Sequence, residues 1–498
     1  MSKFNAKVKG NNKILNKAGG SAYKILEEKT KLVTMVLTTF FNEKKYYGDN
    51  SKEIVEQIRL VAEKDPVFVA KLAVYARRVF HLRSVSHVLA VELANVVKGH
   101  PITRKAISGV VQRADDMTEM MSYHINKYGK PIPNSLKRGL ADAFRRFDEY
   151  SLAKYDRRQQ VTLKDVLCLV RPTPLDQRQS SMWKRLIEGE LQVPTTWETQ
   201  LSTRGNTKEV WEELIAGNYL GYMAGLRNLR NVVQSGAENI HILLNKLSNP
   251  EEVRKSKQLP FRFLSAYREF EALQRSDVDP FIVQKVLNTI EKALEVSSEN
   301  LPFFKGRTFI VSDVSGSMRS PLSRHSKVEM IDVGTLLAAM ANKFCESAIA
   351  SVFAEDFAIV PLSNMDSVLT NQKKLLDTKV GFATYLHKPL QYLLENKIKV
   401  DRILVFSDMQ AYTERVYVGW GYSRREVESP QQIIERYRRE VNPNVFVHSV
   451  DLAGYGTQQF VGKNTNLIAG WSDRLLEFIH MAEHGFESVV DAIENYQL

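Results

Sequence analysis

Arg307-Thr-Phe-Ile-Val-Ser-Asp313-Val-Ser315-Gly-Ser317-Met318 is the stretch on which the reading of the fold turns. Thr308 to Ser312 is a short apolar run with Gly306 and Gly316 on either side, the pattern of a parallel strand covered on both faces. It runs into a loop that presents Asp313, Ser315 and Ser317 at alternate positions. Open α/β sheets bind ligands at the carboxyl ends of their strands, so an acid and two hydroxyls there form a candidate site. Oxygen-only donors suit a hard cation, and a set this rich in neutral oxygens suits Mg2+, which keeps several of its waters. An inert strand-end turn with an Asx-type hydrogen bond is the plain alternative.

Two later segments extend the set. Lys379 to Thr384 reads as a loop ending in a hydroxyl before a helical run from Tyr385 to Asn396, and Ile403-Leu-Val-Phe-Ser-Asp408 is a second buried-strand pattern ending in an acid. Asp313, Ser315, Ser317, Thr384 and Asp408 together resemble the metal-ion-dependent adhesion site of von Willebrand factor A domains. The resemblance implies hydroxyls binding Mg2+ directly, acids acting largely through water, and one position left for a partner's carboxylate. The residue before Thr384 is Ala383, where that family usually has Gly.

Around this stretch the chain divides in two. Its 498 residues fit two or three domains, and the formal charge of +12 is uneven. Residues 1–300 hold 48 Lys and Arg against 34 Asp and Glu, and the remainder 21 against 23. A basic first part joined to a near-neutral second part points to a polyanionic partner for the first, with charge kept for solubility as the alternative. No run of about 18 apolar residues occurs, and Met1-Ser-Lys-Phe-Asn-Ala-Lys lacks an apolar signal core, so a membrane span and a secretory signal are not expected. Cys168 and Cys345, both in apolar runs, read as inert buried thiols and fit a reducing cytoplasm.

Before Arg307 the sequence reads as helix after helix. Residues 1–20 are expected to lack regular structure. Asn50-Ser-Lys-Glu53 is a capping box, and Asp65-Pro66 is an N-cap followed by Pro at the first helical position. Further helices are expected over Asn134 to Ala153, Leu163 to Val170 and on to Pro280 to Val296, with Ser297 to Gly306 as linker. Short Gly/Pro breaks between such helices suggest stacked pairs of HEAT type. After the linker, β and α alternate, which implies a parallel, doubly wound sheet. Strands are expected near Ala348 to Val352, Phe357 to Val360, Arg402 to Ser407 and Val445 to Val450, and a last helix over Ser472 to Asn495. The aromatic segment Val418-Gly-Trp420-Gly-Tyr422 reads either as a partner-contact loop or as a packing hairpin.

Asn16-Lys-Ala-Gly19-Gly20-Ser-Ala-Tyr23, Asp65 to Arg78 with His81-Leu-Arg83-Ser84, and Leu152-Ala-Lys154-Tyr155 through Arg171-Pro172 resemble TROVE-domain proteins. A TROVE region followed by an A domain is the layout of the Ro ribonucleoprotein family. The resemblance implies an α-helical HEAT-like ring over residues 1–296, followed by a Rossmann-like A domain over 305–498. It also implies RNA binding without catalysis: small Y-like RNAs on a basic outer surface, single-stranded 3′ ends of misfolded RNAs in the ring, and an exoribonuclease as a further partner. Matching the family's outer-surface pattern gives Lys154, Arg158 and Arg171, the last an Arg where the family has His. Arg77, Arg78, His81 and Arg83 offer a basic mixture at a helix end that suits RNA, with a solvated charged face as the alternative and Tyr75 reading as core.

Other chemistry finds less footing. His480-Met-Ala-Glu483-His484 has H-x-x-E-H spacing, but no third zinc ligand follows it. There is no G-x-x-x-x-G-K-[ST] phosphate loop, and no Ser/His/Asp or Cys/His set that the fold would assemble. The function that the resemblance implies is an RNA-binding component of non-coding RNA quality control. The rival is a metal-dependent protein-interaction adaptor that does not bind RNA.

Overall fold

The computed structural model describes residues 13–15, 21–24, 28–38, 52–156, 159–192, 195–258, 260–273, 278–299, 303–321, 328–411, 415–418, 423–453, 457–469, 474–483 and 489–498. In chain order, β1 (Lys13–Leu15) and β2 (Ser21–Lys24) precede α1 (Glu28–Thr38), α2 (Lys52–Lys64), α3 (Pro66–Arg78), α4 (Ser84–Val96), α5 (Pro101–Val110), α6 (Ala114–Tyr128), α7 (Asn134–Phe144), α8 (Glu149–Tyr155), α9 (Leu163–Val170) and α10 (Gln177–Glu188). Then come α11 (Trp197–Arg204), α12 (Lys208–Ala216), α13 (Tyr222–Ser235), α14 (Ile240–Ser248), α15 (Pro250–Ser256), α16 (Pro260–Leu273) and α17 (Pro280–Ser298). The α/β part holds β3 (Phe304–Asp313), α18 (Met330–Phe344), β4 (Cys345–Phe353), β5 (Phe357–Val360), α19 (Val368–Asp377), α20 (His387–Glu395) and β6 (Arg402–Ser407). It continues through β7 (Arg415–Val418), β8 (Ser423–Glu426), α21 (Pro430–Glu440), β9 (Phe446–Asp451), β10 (Thr457–Gln458), β11 (Thr465–Ala469) and α22 (Arg474–Glu483), and α23 (Val489–Glu494) follows.

These elements form two compact units, one of residues 26–195 with 489–498 and one of 1–25 with 196–488. In the first, helices start where the sequence signals it. Asp65 accepts from the Phe68 N–H with Pro66 at the first position, and Thr162 and Asp165 form a reciprocal capping box. The helix expected over Asn134 to Ala153 is two helices. Arg145 ends α7, and Asp148 starts α8 by accepting from the Ser151 N–H.

Glycines bring three helices of this unit close together. A Cβ at Gly109 of α5 would stand 2.9 Å from Val74 of α3, and one at Gly139 of α7 would stand 2.6 Å from Ile107 of α5 and 2.9 Å from the Arg104 carbonyl. The last clash is with backbone, which cannot swing aside. Gly139→Ala is expected to cost about 1–3 kcal/mol, read as a lower melting temperature. An unchanged melting temperature would show that α5 and α7 do not need this approach.

In the second unit a six-stranded sheet has the order β11-β9-β6-β3-β4-β5, with β3 inside it. All neighbours are parallel except β4 and β5, so the sheet is mixed where a parallel one was expected. Phe309 and Val311 face a core shared with Leu390 and Leu393 of α20 and Ile433 and Tyr437 of α21. Phe304 extends β3 beyond the expected Thr308, and α22 covers only part of the long last helix expected, residues 484–488 lying outside the described ones. Regular structure was not expected within residues 1–20, yet β1 pairs with β2, and β2 pairs with β10 far along the chain. β7 and β8 form an antiparallel hairpin, and Gly419 to Tyr422 lie outside the described residues. Cys345 is buried, but Cys168 is exposed, so the reading of two buried thiols holds for one of them. Among the described residues no helix is long and apolar enough to cross a membrane.

Candidate functional site

β3 and β6 are adjacent parallel strands, so their carboxyl ends deliver Asp313 and Asp408 side by side. Both acids and Ser315 are fully buried, and Thr384 nearly so. Asp313 Oδ1 accepts from the Ser315 N–H at 2.9 Å, and its Oδ2 accepts from the Ser407 hydroxyl at 2.6 Å. The Ser315 and Ser317 hydroxyl oxygens lie 3.2 Å apart. The Thr384 loop docks on the first loop through the Gly316 N–H, which donates to the Phe382 carbonyl at 2.9 Å. Gly381, at φ +85°, takes that loop through a conformation that suits glycine, and a Cβ there would lie 2.5 Å from Glu355. The structure thus brings Asp313, Ser315, Ser317 and Asp408 together and ties the Thr384 loop to them.

The electrostatics of this cluster are those of a site short of positive charge. Burial, and then the Asp408 charge, push the Asp313 carboxyl up to about 7 against its hydrogen bonds. Burial raises Asp408 as well. The Ser317 hydroxyl softens that rise, yet Asp408 Oδ2 receives no hydrogen bond of ordinary geometry among the described residues. Two buried acids, one with an orphaned oxygen, and converging hydroxyls fit a hard divalent cation. Among the described residues no three His, Cys, Asp or Glu side chains cluster as metal ligands, so such a cation would rest on hydroxyls and carboxylates. Ser407 is a member of the cluster that sequence reasoning missed, although its place beside Asp408 at a strand end was the available signal.

The H-x-x-E-H candidate dissolves. Glu483 accepts two hydrogen bonds from buried Arg402, each 2.7 Å, and lies 2.9 Å from His448 Nε2. Burial alone would raise its carboxyl, but His448 and Arg402 overcome that and hold it at about 2. It is a structural counter-ion. His480 meets the Phe304 ring edge-on, and His484 lies outside the described residues.

The basic candidates separate by burial. Arg77 is buried and bonds Asp116 at 3.1 Å, while Arg83 pairs with Asp115, Asp116 and Glu119 at 2.7 to 2.9 Å. This is a correction to the sequence reading. Both arginines are counter-ions of an acidic cluster, Arg77 buried and Arg83 partly exposed, so their charge is neutralised within the fold. Tyr75 is buried, as its spacing suggested. His81 is exposed at φ 58°, and Arg171 is exposed as the left-handed cap of α9. Lys154 lies on α8, and Arg158 is outside the described residues.

Arg78 leads to a larger feature that the sequence reading did not find. It lines a groove of about 1450 Å3 in the first unit together with Lys98, Arg104, Lys105, Lys137, Arg138 and Arg146. Asp142 is the carboxylate side chain among the lining residues, and Arg104 pairs with it. Burial and the neighbouring Arg78 charge lower the Arg146 guanidinium's proton affinity, a sign of like charges held together. Among the described residues Lys98, Lys105, Lys137 and Arg138 have no ion pair. The signal was present in the sequence. Arg104-Lys105 and Lys137-Arg138 occupy the fourth and fifth positions of α5 and α7, the helices that Gly139 brings together.

Comparison with known proteins follows this division. The TROVE domain family matches residues 24–189 and 188–302, and the Ro60 vWA domain family matches residues 307–443. This chain belongs to the TROVE family. Its members are RNA-binding ribonucleoprotein components, and here a Ro-type A domain follows the helical region. The chain is 26% identical over 347 residues to telomerase protein component 1 of Rattus norvegicus and of Mus musculus. That match spans 51% of this chain and 13% of either relative. The crystal structure of the Deinococcus radiodurans RO (RSR) protein superposes with a TM-score of 0.62 over 86% of this chain and 93% of that one. At 15% identity that likeness shows the fold.

Proposed function

We propose that this TROVE protein is the scaffold of a cytoplasmic ribonucleoprotein, without catalytic activity of its own, that binds small structured non-coding RNAs, Y-like in kind, and the unpaired 3′ ends of misfolded ones. Its work is RNA quality control or processing, alongside an exoribonuclease. The observation that carries this is the groove, where seven cations face one paired carboxylate side chain. Phosphates dominate RNA affinity, and Lys and Arg act on them by releasing counterions. In the same reading the A domain uses Mg2+ at Ser315, Ser317, Thr384, Asp313 and Asp408 to hold an acidic group of a protein partner. The cation supplies the attraction for that group, and the chain's hydroxyls and acids place it.

The test is salt dependence. Replacing Lys137 and Arg138 together by Ala is expected to weaken binding of a structured RNA and to flatten log K against log salt by roughly 2, one for each lost phosphate contact. An unchanged slope would remove the groove from the RNA surface.

A further inference from the structure

The turn that ends β6 carries a backbone conformation that its sequence does not favour. Among the described residues seven side chains other than glycine stand on positive φ, and six of them are exposed or half-buried, as Arg171 and Lys257 are where they end α9 and α15. The seventh is Met409, fully buried at φ 59° in the position directly after Asp408. An unbranched apolar side chain gains nothing locally from the left-handed region, so the surroundings must hold it there.

Three bonds do so. The Met409 N–H donates to the Ser407 hydroxyl at 3.1 Å, its carbonyl accepts from the Gln459 side-chain amide at 2.9 Å, and its sulfur accepts from the Ser449 hydroxyl of β9 at 3.1 Å. Gln459 is itself buried and directly follows β10, the strand that pairs with β2. The first of these bonds reaches the cation cluster. Because the Ser407 oxygen receives the Met409 N–H, its own hydrogen goes to Asp313 Oδ2, 2.6 Å away. The next N–H in the chain, that of Gln410, donates to Asp408 Oδ1 at 3.1 Å and leaves Oδ2 without a bond of ordinary geometry among the described residues. One turn therefore orients both acids, and the sense of that turn is set at Met409.

We propose that Met409 is a positioning residue of the cation site, and that Gln459 is the anchor that keeps its backbone left-handed. This rests on the cation reading above and deepens it. Holding the two carboxylates in place beforehand spares a cation the cost of ordering them. Affinity is then set by the conformation at Met409 and not by the bulk of its side chain.

Titration of full-length variants with MgCl2 by calorimetry separates conformation from packing. Met409→Gly deletes the side chain but adopts the left-handed region freely, and is expected to keep the Mg2+ Kd within about 3-fold of wild type. Met409→Ile keeps the apolar bulk but is β-branched and disfavoured in that region, and is expected to bind Mg2+ roughly 10-fold more weakly or worse. A side chain that only filled space would give the opposite order. Gln459→Ala leaves Met409 and every cation donor in place and is expected to weaken Mg2+ binding by roughly 10-fold, which keeps the test decisive if Met409→Ile does not fold. Wild-type affinity in Gln459→Ala, or a Met409→Gly protein that binds Mg2+ more weakly than Met409→Ile, overturns the role of Met409. A wild-type chain that takes up no Mg2+ would instead overturn the cation reading itself.

Discussion

Asp116→Ala is expected to destabilise the first unit by about 3–5 kcal/mol, the cost of stripping one partner from a buried ion cluster. Asp116 is fully buried, and each of its oxygens serves several donors. Oδ1 meets Arg83 Nε at 2.7 Å and His87 Nε2 at 3.2 Å, while Oδ2 accepts from Arg77 and from the N–H groups of Gln112 and Arg113 at 2.8 to 3.1 Å. Burial would raise its carboxyl, but His87, Arg77 and Arg83 together hold it well below the ordinary carboxylate range. Burial would lower His87, and Asp116 and Glu119 outweigh that and raise it.

The two shifts act in opposite pH directions. A depressed carboxyl contributes stability that is present above its unfolded pKa, about 3.9, and is lost as pH falls through the folded value. A raised imidazole contributes below about 6.5 and loses that contribution as pH rises through its folded value. Thermal melts of wild type and Asp116→Ala at neutral pH should differ by roughly 10 °C, and the gap should narrow in acid below about pH 4. Equal melting temperatures at neutral pH would mean that the cluster is not holding α3, α4 and α6 together.

That cluster also shows where the sequence could and could not be read. Arg77 and Arg83 sit beside exposed Arg78 and His81 in the chain, and nothing in that run reveals that Asp115, Asp116 and Glu119, more than thirty residues on, claim two of the four. Exposure is a tertiary property, and charge type alone does not carry it. The basic groove escaped for the same reason, since three helices each bring only part of it. β6 falls where its apolar run and flanking residues place it, because a strand buried by its neighbours is a local pattern, and the edge strand β5 keeps its expected bounds as well. β1 and β2 do not, and the pairing of β2 with β10 spans most of the chain. The break between α7 and α8 has no Gly or Pro to announce it, only the capping Asp148.

The cluster of acids and hydroxyls around Asp313 and Asp408 lies at the ends of β3 and β6, strands that local patterns fix, and it yields the second large effect. Asp313→Asn is expected to abolish cation binding while making the cation-free protein more stable. The native carboxylate is buried beside Asp408, and that like-charge pairing costs stability until a cation arrives. The amide keeps an oxygen for the Ser315 N–H and removes one of the two charges. With wild type, Mg2+ at about a hundred times its Kd should add about 2.7 kcal/mol of stability, and the variant should show none of this. The two proteins thus exchange rank: the variant melts higher in chelator, and wild type melts higher in MgCl2. Protons compete for the same oxygens. With Asp313 pushed up to about 7, the Mg2+ shift of wild type should shrink as pH falls from about 8 to 6. A destabilised Asp313→Asn protein in chelator would show that the acid pair is a structural element of the β3 and β6 strand ends, and that the hydroxyls around it are not waiting for a metal.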